Sequence, residues 1–245
     1  MPIYVKENAS VLFMHIPKTG GTSIEEWFKS KPQFKEYLFM QEPVQDLKCT
    51  PQHFTLKTIN LMFDGVFPPF NYKFAIVRDP YQRLESEFFY RHKLHQIQLG
   101  KKPEKHFSAW VCKTLKTAEF NSQILDNHIQ PQSEFVSKEL KVFYFENGIS
   151  NILNEIAEDL GFPPSSQSIH KKSSERKTVR WSKDAILAVN KFYNDDFQLF
   201  EYERKQVDTG FIPLLASKLS IIRFYLESSA RNLWRRLKNK SVIQY

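Results

Sequence analysis

The stretch "HIPKTGGTSI", residues 15–24, decides the fold because it joins two elements of different type through a pair of glycines. Residues 11–16 form a short apolar run with β-branched and aromatic side chains, which predicts a buried strand. Residues 23–30 predict a helix, with Glu25 and Glu26 near the positive end of its dipole. In a strand, tight glycine loop and helix of this kind, backbone N–H groups point at an anion.

The lysine of this loop stands before the glycines, which distinguishes it from a Walker A loop. A Walker A loop has its lysine after the last glycine, whereas Lys18 precedes Gly20 and Gly21 here. The small residues still let the backbone wrap an oxyanion, and Thr22 or Ser23 can cap the helix and add hydroxyl donors. The loop therefore predicts a phosphate-like ligand, or else a plain strand-to-helix turn.

A second segment, "FAIVRDPYQRLESEF" (residues 74–88), has a basic residue at the end of another predicted strand. Arg78 follows the strand 73–77, and Asp79 can cap the helix that comes next. Ser86 lies eight residues after Arg78, which is about two helical turns. Ligands of open α/β sheets bind beyond the carboxyl ends of strands, so we expect Arg78 to reach the same crevice as the glycine loop.

The rest of the pattern predicts an α/β domain of three layers, in which helices cover both faces of a central, mainly parallel sheet. A third strand is expected at residues 141–146, followed by a helix at 149–160 that ends at Gly161. Further helices are expected at residues 107–127 and 182–200, where they would complete the layers.

The C-terminal residues have a different pattern, so we expect a domain at residues 1–206 and an amphipathic basic helix at 207–245. Residues 211–245 carry seven basic residues and one acid, and therefore +6 of the net charge of +8. The nearly balanced body argues against a nucleic-acid groove. Residues 211–240 could pack on the domain, contact a second copy in a homo-oligomer, or lie on an anionic membrane surface.

Cysteine usage and hydropathy predict a cytoplasmic protein, with peripheral membrane contact left open by the basic helix. Cys49 and Cys112 stand far apart and lack the spacing of a zinc site or a disulfide scaffold, which fits a reducing compartment. The N-terminal apolar stretch is too short for a secretion signal, and no later segment is long and apolar enough to span a bilayer.

Taken together, "HIPKTGGTS" and "VRDPYQRLESEF" resemble the two phosphate-binding elements of the sulfotransferases that use 3′-phosphoadenosine 5′-phosphosulfate (PAPS). The likeness is to the branch of carbohydrate sulfotransferases and their bacterial relatives, and it covers roughly residues 10–203. It extends to "CTPQHFTL", "HIQPQSEF", "FYFENGISNILNEIAEDLGFP", "IHKKSSERK" and "VNKFYNDDFQLFEY". The resemblance implies a P-loop-like fold that transfers sulfuryl from PAPS to a hydroxyl of a carbohydrate or glycolipid. It further implies release of 3′-phosphoadenosine 5′-phosphate (PAP) and no metal.

The resemblance also assigns the donor site to residues that match the motifs of the family. Lys18 would stabilise the oxygen between phosphate and sulfate as it leaves, and Arg78 and Ser86 would bind the 3′-phosphate. The residues that would wrap the 5′-phosphate through backbone and hydroxyl donors are Thr19, Gly20, Gly21, Thr22 and Ser23. A late loop that closes over the donor would add Lys171, Lys172 and Ser173.

The base that takes the proton of the acceptor hydroxyl has two candidates. His53 matches the position at which related carbohydrate sulfotransferases keep a histidine, and an imidazole can accept a proton at neutral pH. Other relatives use a glutamate near the same cleft, which makes Glu42 the alternative. Gln130 and Gln132 resemble a family stretch that lines the acceptor cleft, although a capped loop would look the same.

Two other functions remain open at the level of sequence. A P-loop kinase or NTPase needs a Walker A lysine, which is absent, and an acidic magnesium ligand, for which Asp79 is the nearest residue. A non-catalytic module would use the body as a scaffold and the basic helix to dock on a membrane or partner. His92 and His95 stand three apart beside Arg91 and Lys93, which predicts a solvated basic face rather than a metal site.

Overall fold

A computed structural model describes residues 2–7, 9–40, 49–63, 70–94, 103–164 and 178–207. Five strands lie in these ranges: β1 (Ile3–Lys6), β2 (Ala9–Met14), β3 (Lys35–Tyr37), β4 (Tyr72–Val77) and β5 (Lys141–Tyr144). They form one sheet in the order β3-β1-β2-β4-β5. The strands β2, β4 and β5 are parallel, whereas β1 pairs antiparallel with both β2 and β3.

The register of the parallel strands brings two predicted segments to one edge of the sheet. Phe13 of β2 lies opposite Phe74 of β4, and Met14 lies opposite Ala75. The chain therefore leaves β2 and β4 at nearby points of the carboxyl edge, where the glycine loop and Arg78 follow.

Seven helices and four short 3-10 turns lie in the described ranges. The helices are α1 (Gly21–Lys29), α2 (Leu56–Phe63), α3 (Pro80–Lys93), α4 (Phe107–Phe120), α5 (Ile149–Asp159), α6 (Lys183–Phe192) and α7 (Asn194–Leu199). The 3-10 turns are Pro51–His53, Pro103–His106, Gln132–Phe135 and Phe145–Asn147. As predicted, Asp79 caps α3 by accepting from the Gln82 N–H at 2.8 Å, with Pro80 as the first helical residue.

Helices cover both faces of the sheet because side chains alternate along its strands. Val11 and Phe13 pack against α1 and α5 on one face. Leu12 and Met14 pack on the other face against a layer that includes α2. A further apolar cluster joins α3, α4, α6 and α7. The predicted α/β class, with a central sheet flanked by helices, is therefore confirmed.

Several boundaries differ from the prediction. The first helix begins at Gly21 with Gly20 as its N-cap and no side-chain cap, so the prediction that Thr22 or Ser23 caps it was wrong. The helix expected at residues 107–127 ends at Phe120, and the one expected at 182–200 is two helices. The antiparallel strands β1 and β3 were not predicted, because runs of four and three residues are too short to give a clear period.

Some predicted residues lie outside the described ranges: Glu42, His95, Lys171, Lys172, Ser173 and residues 208–245. Among the described helices, none has the length and apolar character needed to cross a membrane. Cys49 and Cys112 are both free thiols.

Candidate functional site

The glycine loop runs from the end of β2 to the start of α1 and contains two residues in the left-handed region. Lys18 has φ 69° and Gly20 has φ 92°. A side chain at Gly20 would also be crowded, because a Cβ there would lie 3.2 Å from the Phe145 ring and closer still to Ile149. As Gly20 caps α1, the amides of Gly21 and Thr22 are left for a ligand, whereas the Ser23 N–H donates to the Gly20 carbonyl oxygen at 3.0 Å. The loop thus offers N–H groups and a positive helix end to an anion.

The hydroxyl residues of the loop differ in what they can offer a ligand. Thr19 is fully buried, and its hydroxyl donates to the Ile16 carbonyl oxygen at 2.8 Å. Thr22 is exposed and Ser23 is half-buried in the first turn of α1. Thr22 and Ser23 can therefore donate from their side chains, whereas the hydroxyl hydrogen of Thr19 is already used within the loop.

Arg78 joins the two predicted anion-binding segments. Its Nη1 donates to the carbonyl oxygen of Lys18 at 3.2 Å. Its guanidinium carbon lies 4.3 Å from the centre of the Phe145 ring, the same ring that packs near Gly20. The segments that begin at Lys18 and Arg78 therefore meet at one point of the sheet edge. Ser86 is half-buried in the middle of α3, eight residues after Arg78.

The side-chain amide of Gln132 fixes the backbone at Arg78. Its Oε1 accepts from the Arg78 N–H at 2.9 Å, and its Nε2 donates to the Arg78 carbonyl oxygen at 2.8 Å. The backbone amides of Gln132 and Ser133 both donate to the carboxylate of Asp196, each at 2.9 Å. Gln132 is fully buried and both groups of its amide are engaged by Arg78, which favours the structural alternative over a role in the acceptor cleft.

Arg83 ties the start of the glycine loop to the segment after α4. Its Nε donates to the Pro17 carbonyl oxygen at 3.1 Å, and its two terminal nitrogens donate to the carbonyl oxygens of His128 and Gln130, both at 2.9 Å. The Gln130 side chain donates to the Ser122 carbonyl oxygen. Arg83 is 2% exposed, and within the described ranges its hydrogen bonds go to backbone carbonyl oxygens, so it acts as a structural cation.

Lys18 lies in a strongly basic environment. Its Nζ is 3.9 Å from the centre of the Tyr90 ring. Burial lowers the pKa of Lys18, and the negative charge of Glu87 partly offsets this effect. A further lowering of the pKa comes from three nearby cations, Arg78, Arg91 and Lys93. A bound anion would relieve this repulsion, which fits a ligand with several negative charges.

The polar stripe on α3 is buried rather than solvated. Arg83, Glu87 and Arg91 follow one another at four-residue spacing, and all three are buried. Arg91 Nε donates to Glu87 Oε1 at 2.5 Å, and Arg91 Nη2 donates to the Leu125 carbonyl oxygen at 2.8 Å. The prediction of a solvated basic face was therefore wrong for Arg91.

His53 forms a dyad with Asp126. His53 Nδ1 lies 2.8 Å from Asp126 Oδ2, and the imidazole is 5% exposed. Burial lowers the pKa of His53 to about 3, although the hydrogen bond with Asp126 acts in the opposite direction. Burial raises the pKa of Asp126, but the hydrogen bonds from His53 and Thr50 outweigh it and hold that pKa below its usual range. At neutral pH the dyad is therefore a neutral imidazole on an ionised carboxylate.

Two more buried histidines, each beside its own carboxylate, surround this dyad. His128 Nδ1 lies 2.8 Å from Glu87 Oε2. His15 Nδ1 lies 2.6 Å from Glu25 Oε1 without the alignment of a hydrogen bond. The ring of His53 stands edge-on to both, at centroid distances of 4.7 Å from His128 and 5.3 Å from His15.

The side chains of His53, Asp126 and His128 also have the ligand types of a metal site, with ligand atoms within 4.8 Å of one another. The Nδ1 atoms of both histidines already contact carboxylates. The hydrogen-bonded pairs therefore explain this arrangement, and loss of turnover on chelation would instead indicate a metal.

Lowering the pH from 7 to 5 is expected to lower the melting temperature. The pKa of His53 in the fold lies below the unfolded value of about 6.5, so its contribution is complete above that pH and is lost as the pH falls through 6.5 towards 3. Over this interval one such histidine lowers the free energy of unfolding by roughly 2 kcal/mol, which lowers Tm by about 4–8 °C. The carboxyl pKa of Glu87, lowered to about 2 by His128 and Arg91 against the effect of burial, affects stability only at lower pH.

Thermal melts of the wild-type chain and of His53→Gln across this pH range check the expectation. The variant should show a flatter dependence between pH 7 and 5. Equal slopes for the two proteins would show that His53 does not carry the effect.

Two residues of the site, Arg83 and Asp126, were missed at the level of sequence, and Gln132 was expected in a different role. The four-residue spacing of Arg83, Glu87 and Arg91 was a usable signal for a buried ionic stripe on α3. The Asp126-Asn127 pair was a second signal, since Asp and Asn tolerate left-handed backbone better than other residues. Nothing in the sequence identifies Gln132 as the partner of Arg78.

Comparison with known proteins assigns the chain to a family. The model of the sulfotransferase family matches residues 1–203, which is most of the chain. No curated protein and no solved structure gives a significant match. The chain belongs to the sulfotransferase family. It is therefore a transferase, of a family whose general reaction is sulfuryl transfer.

Proposed function

We propose that the protein transfers the sulfuryl group of PAPS to a hydroxyl of a carbohydrate or glycoconjugate. The contact between Arg78 and the Lys18 carbonyl oxygen is the observation that carries this proposal. It brings the two sequence motifs that resemble a PAPS site to one edge of the sheet, as a P-loop-like donor site requires. The excess of positive charge around Lys18 fits a donor phosphorylated at two positions.

When bound, PAPS supplies an activated sulfuryl group on a phosphate leaving group. Lys18 faces that leaving group and stabilises the charge that develops on its bridging oxygen. The first amides of α1, with the hydroxyls of Thr22 and Ser23, hold the 5′-phosphate. Arg78 and Ser86 hold the 3′-phosphate.

His53 is the general base of this proposal. At neutral pH its imidazole is uncharged, and the hydrogen bond with Asp126 opposes the lowering of its pKa by burial, which makes the ring a better acceptor for the proton of the acceptor hydroxyl. Gly21 and the loop lie close by, because the ring of His15 packs on Gly21 and stands edge-on to His53. The carbohydrate class of the acceptor is supported by the resemblance to carbohydrate sulfotransferases alone.

Binding of PAP is expected to be equally tight in EDTA and in magnesium. The side chains of Lys18 and Arg78 and the amides of the loop supply the positive charge that magnesium supplies in an NTPase. Titration calorimetry measures both constants, and magnesium-dependent binding of ATP would support the kinase alternative instead. Turnover should also survive chelation, whereas its loss would point to a metal at His53, Asp126 and His128.

Arg78→Ala is expected to weaken PAP binding by roughly 10-fold to 100-fold, the range for loss of a hydrogen bond to a charged group. Lys73→Ala is the matched control, because Lys73 pairs with the exposed Glu139 at 2.6 Å. Equal affinities in these two variants would contradict the role of Arg78.

The acceptor is identified by incubating the chain with radiolabelled donor and a panel of glycans, glycolipids and small alcohols. Sulfate on a glycan or glycolipid supports the proposed class. Sulfate on small alcohols alone would leave the sulfuryl transfer intact and overturn the carbohydrate acceptor.

A further inference from the structure

The carboxylate of Asp126 determines which nitrogen of His53 carries a proton. Its Oδ1 accepts from the Thr50 N–H at 2.6 Å, and its Oδ2 accepts from the Thr50 hydroxyl at 2.8 Å. Oδ2 also lies 2.8 Å from His53 Nδ1. An ionised carboxylate can only accept hydrogen bonds, so Nδ1 must be the protonated nitrogen. The lone pair of the neutral ring is then on Nε2.

The backbone that presents Asp126 is held in a conformation that the chain would not adopt by itself. Leu125, Asp126 and Asn127 have φ values of 53°, 60° and 59°, a left-handed run that L residues rarely form. Arg91 donates to the Leu125 carbonyl oxygen at 2.8 Å, and Asn127 Nδ2 donates to the His53 carbonyl oxygen at 2.9 Å. Backbone in such sparsely populated regions is concentrated at functional sites.

The His53 pair also differs from the neighbouring His128 pair in its charge. Glu87, the carboxylate beside His128, also forms an ion pair with Arg91, with 2.5 Å between Oε1 and Nε. Asp126 has no lysine or arginine at ion-pair distance in the described part of the chain. Its negative charge is therefore available to stabilise an imidazolium on His53.

We propose that Asp126 is the positioning residue for this reaction, and that it holds His53 in the tautomer that can act as a base. The inference rests on the proposed function, in which His53 is the general base. As the acceptor oxygen bonds to sulfur, its proton moves to His53 Nε2. The bond between sulfur and the bridging oxygen breaks, and its electron pair leaves with PAP. Asp126 then stabilises the imidazolium through Nδ1–H.

Asp126→Asn tests this role with almost no change in shape. The Thr50 N–H requires an acceptor, so the amide oxygen of the new side chain takes the place of Oδ1. The amide NH₂ then faces His53 Nδ1 and forces the opposite tautomer, with the proton on Nε2. Turnover is expected to fall by roughly 10²-fold to 10⁴-fold, the usual contribution of a general base. The affinity for PAP should stay within about threefold, because the hydrogen bonds of Asp126 within the described residues go to Thr50 and His53 and to none of the proposed donor-binding residues.

Nitrogen-15 NMR of the imidazoles reports the tautomer independently of activity. The wild-type chain should show His53 protonated at Nδ1, and Asp126→Asn should show it protonated at Nε2. Asp159→Asn is the matched control, since the same change at the end of α5 removes a carboxylate that contacts Tyr72 and Lys141. It should leave both the tautomer and the turnover unchanged.

The outcomes separate this inference from the proposed function. A wild-type His53 protonated at Nε2 overturns the role of Asp126, and this measurement needs no variant to fold. A switched tautomer with normal turnover, together with an inactive His53→Ala, also overturns it and leaves His53 as the base. Full turnover in His53→Ala contradicts the proposed base itself.

Discussion

Lys18→Met is expected to lower kcat for sulfuryl transfer by roughly 10²-fold to 10³-fold, as removal of one group that stabilises a developing oxyanion usually does. Methionine keeps much of the length of the lysine stem and removes only the charge. The same substitution should leave the melting temperature unchanged or raise it. Burial and the cations Arg78, Arg91 and Lys93 all lower the pKa of Lys18. The charged form of Lys18 therefore lowers the free energy of unfolding. Steady-state kinetics and thermal melts measure the two effects.

Lys73→Met serves as the control for Lys18→Met. Lys73 lies near the amino end of β4, at the opposite end of the strand from Arg78, and it pairs with the exposed Glu139. It should show wild-type kcat. If Lys18→Met lost stability and activity in proportion, the lysine would be structural and its assignment to the leaving group would fail.

Gly21→Ala is expected to lower both stability and turnover, because no space exists for the added methyl group. A Cβ at Gly21 would meet three ring atoms of His15, the most distant at 2.8 Å. His15 cannot easily move, since it stacks on Phe13 at 5.4 Å, lies 2.6 Å from Glu25 and stands edge-on to His53. Overpacking of this kind costs about 1–3 kcal/mol, or roughly 2–12 °C in Tm.

The effect of Gly21→Ala on turnover should exceed its effect on stability. Displacement of the His15 ring moves its edge-on neighbour His53, and shifts of about 1 Å can cost roughly 10²-fold in rate. Gly161→Ala is the control: Gly161 has φ 73°, but nothing lies within 4 Å of an added Cβ. It tests backbone strain alone and should retain full kcat. Wild-type Tm and turnover in Gly21→Ala would show that the His15 ring can move to make room, and would contradict this prediction.

The central part of the fold could be predicted because its signals are local and strong. The apolar runs around Phe13 and Phe74 each specify a strand, and the Asp79 cap with Pro80 at the first position specifies α3, without help from distant residues. The region after Phe120 could not be predicted in the same way. Its apolar spacing resembles a helix, yet hydrogen bonds from Arg83 and Arg91 hold its backbone in another conformation. Such hydrogen bonds link residues far apart in the sequence, so they produce no periodic pattern of residue types along the chain.

The candidate site was predicted unevenly for the same reason. Lys18 and Arg78 belong to motifs whose residue types and spacing point to an anion, and the structure brings them together. The partner of His53 could not be found from sequence, because Asp126 is 73 residues away. Its role depends on a left-handed turn that only the folded chain defines.

The hydrogen bonds of Gln132 bear on which parts of the protein can change in evolution. Its amide occupies both backbone groups of Arg78, and Asp196 anchors Gln132 from α7 through a backbone hydrogen bond. The backbone at Arg78 is thus held by buried groups and not by exposed loops. We expect that exposed loops can diverge during evolution, or be exchanged by engineering, without loss of these hydrogen bonds.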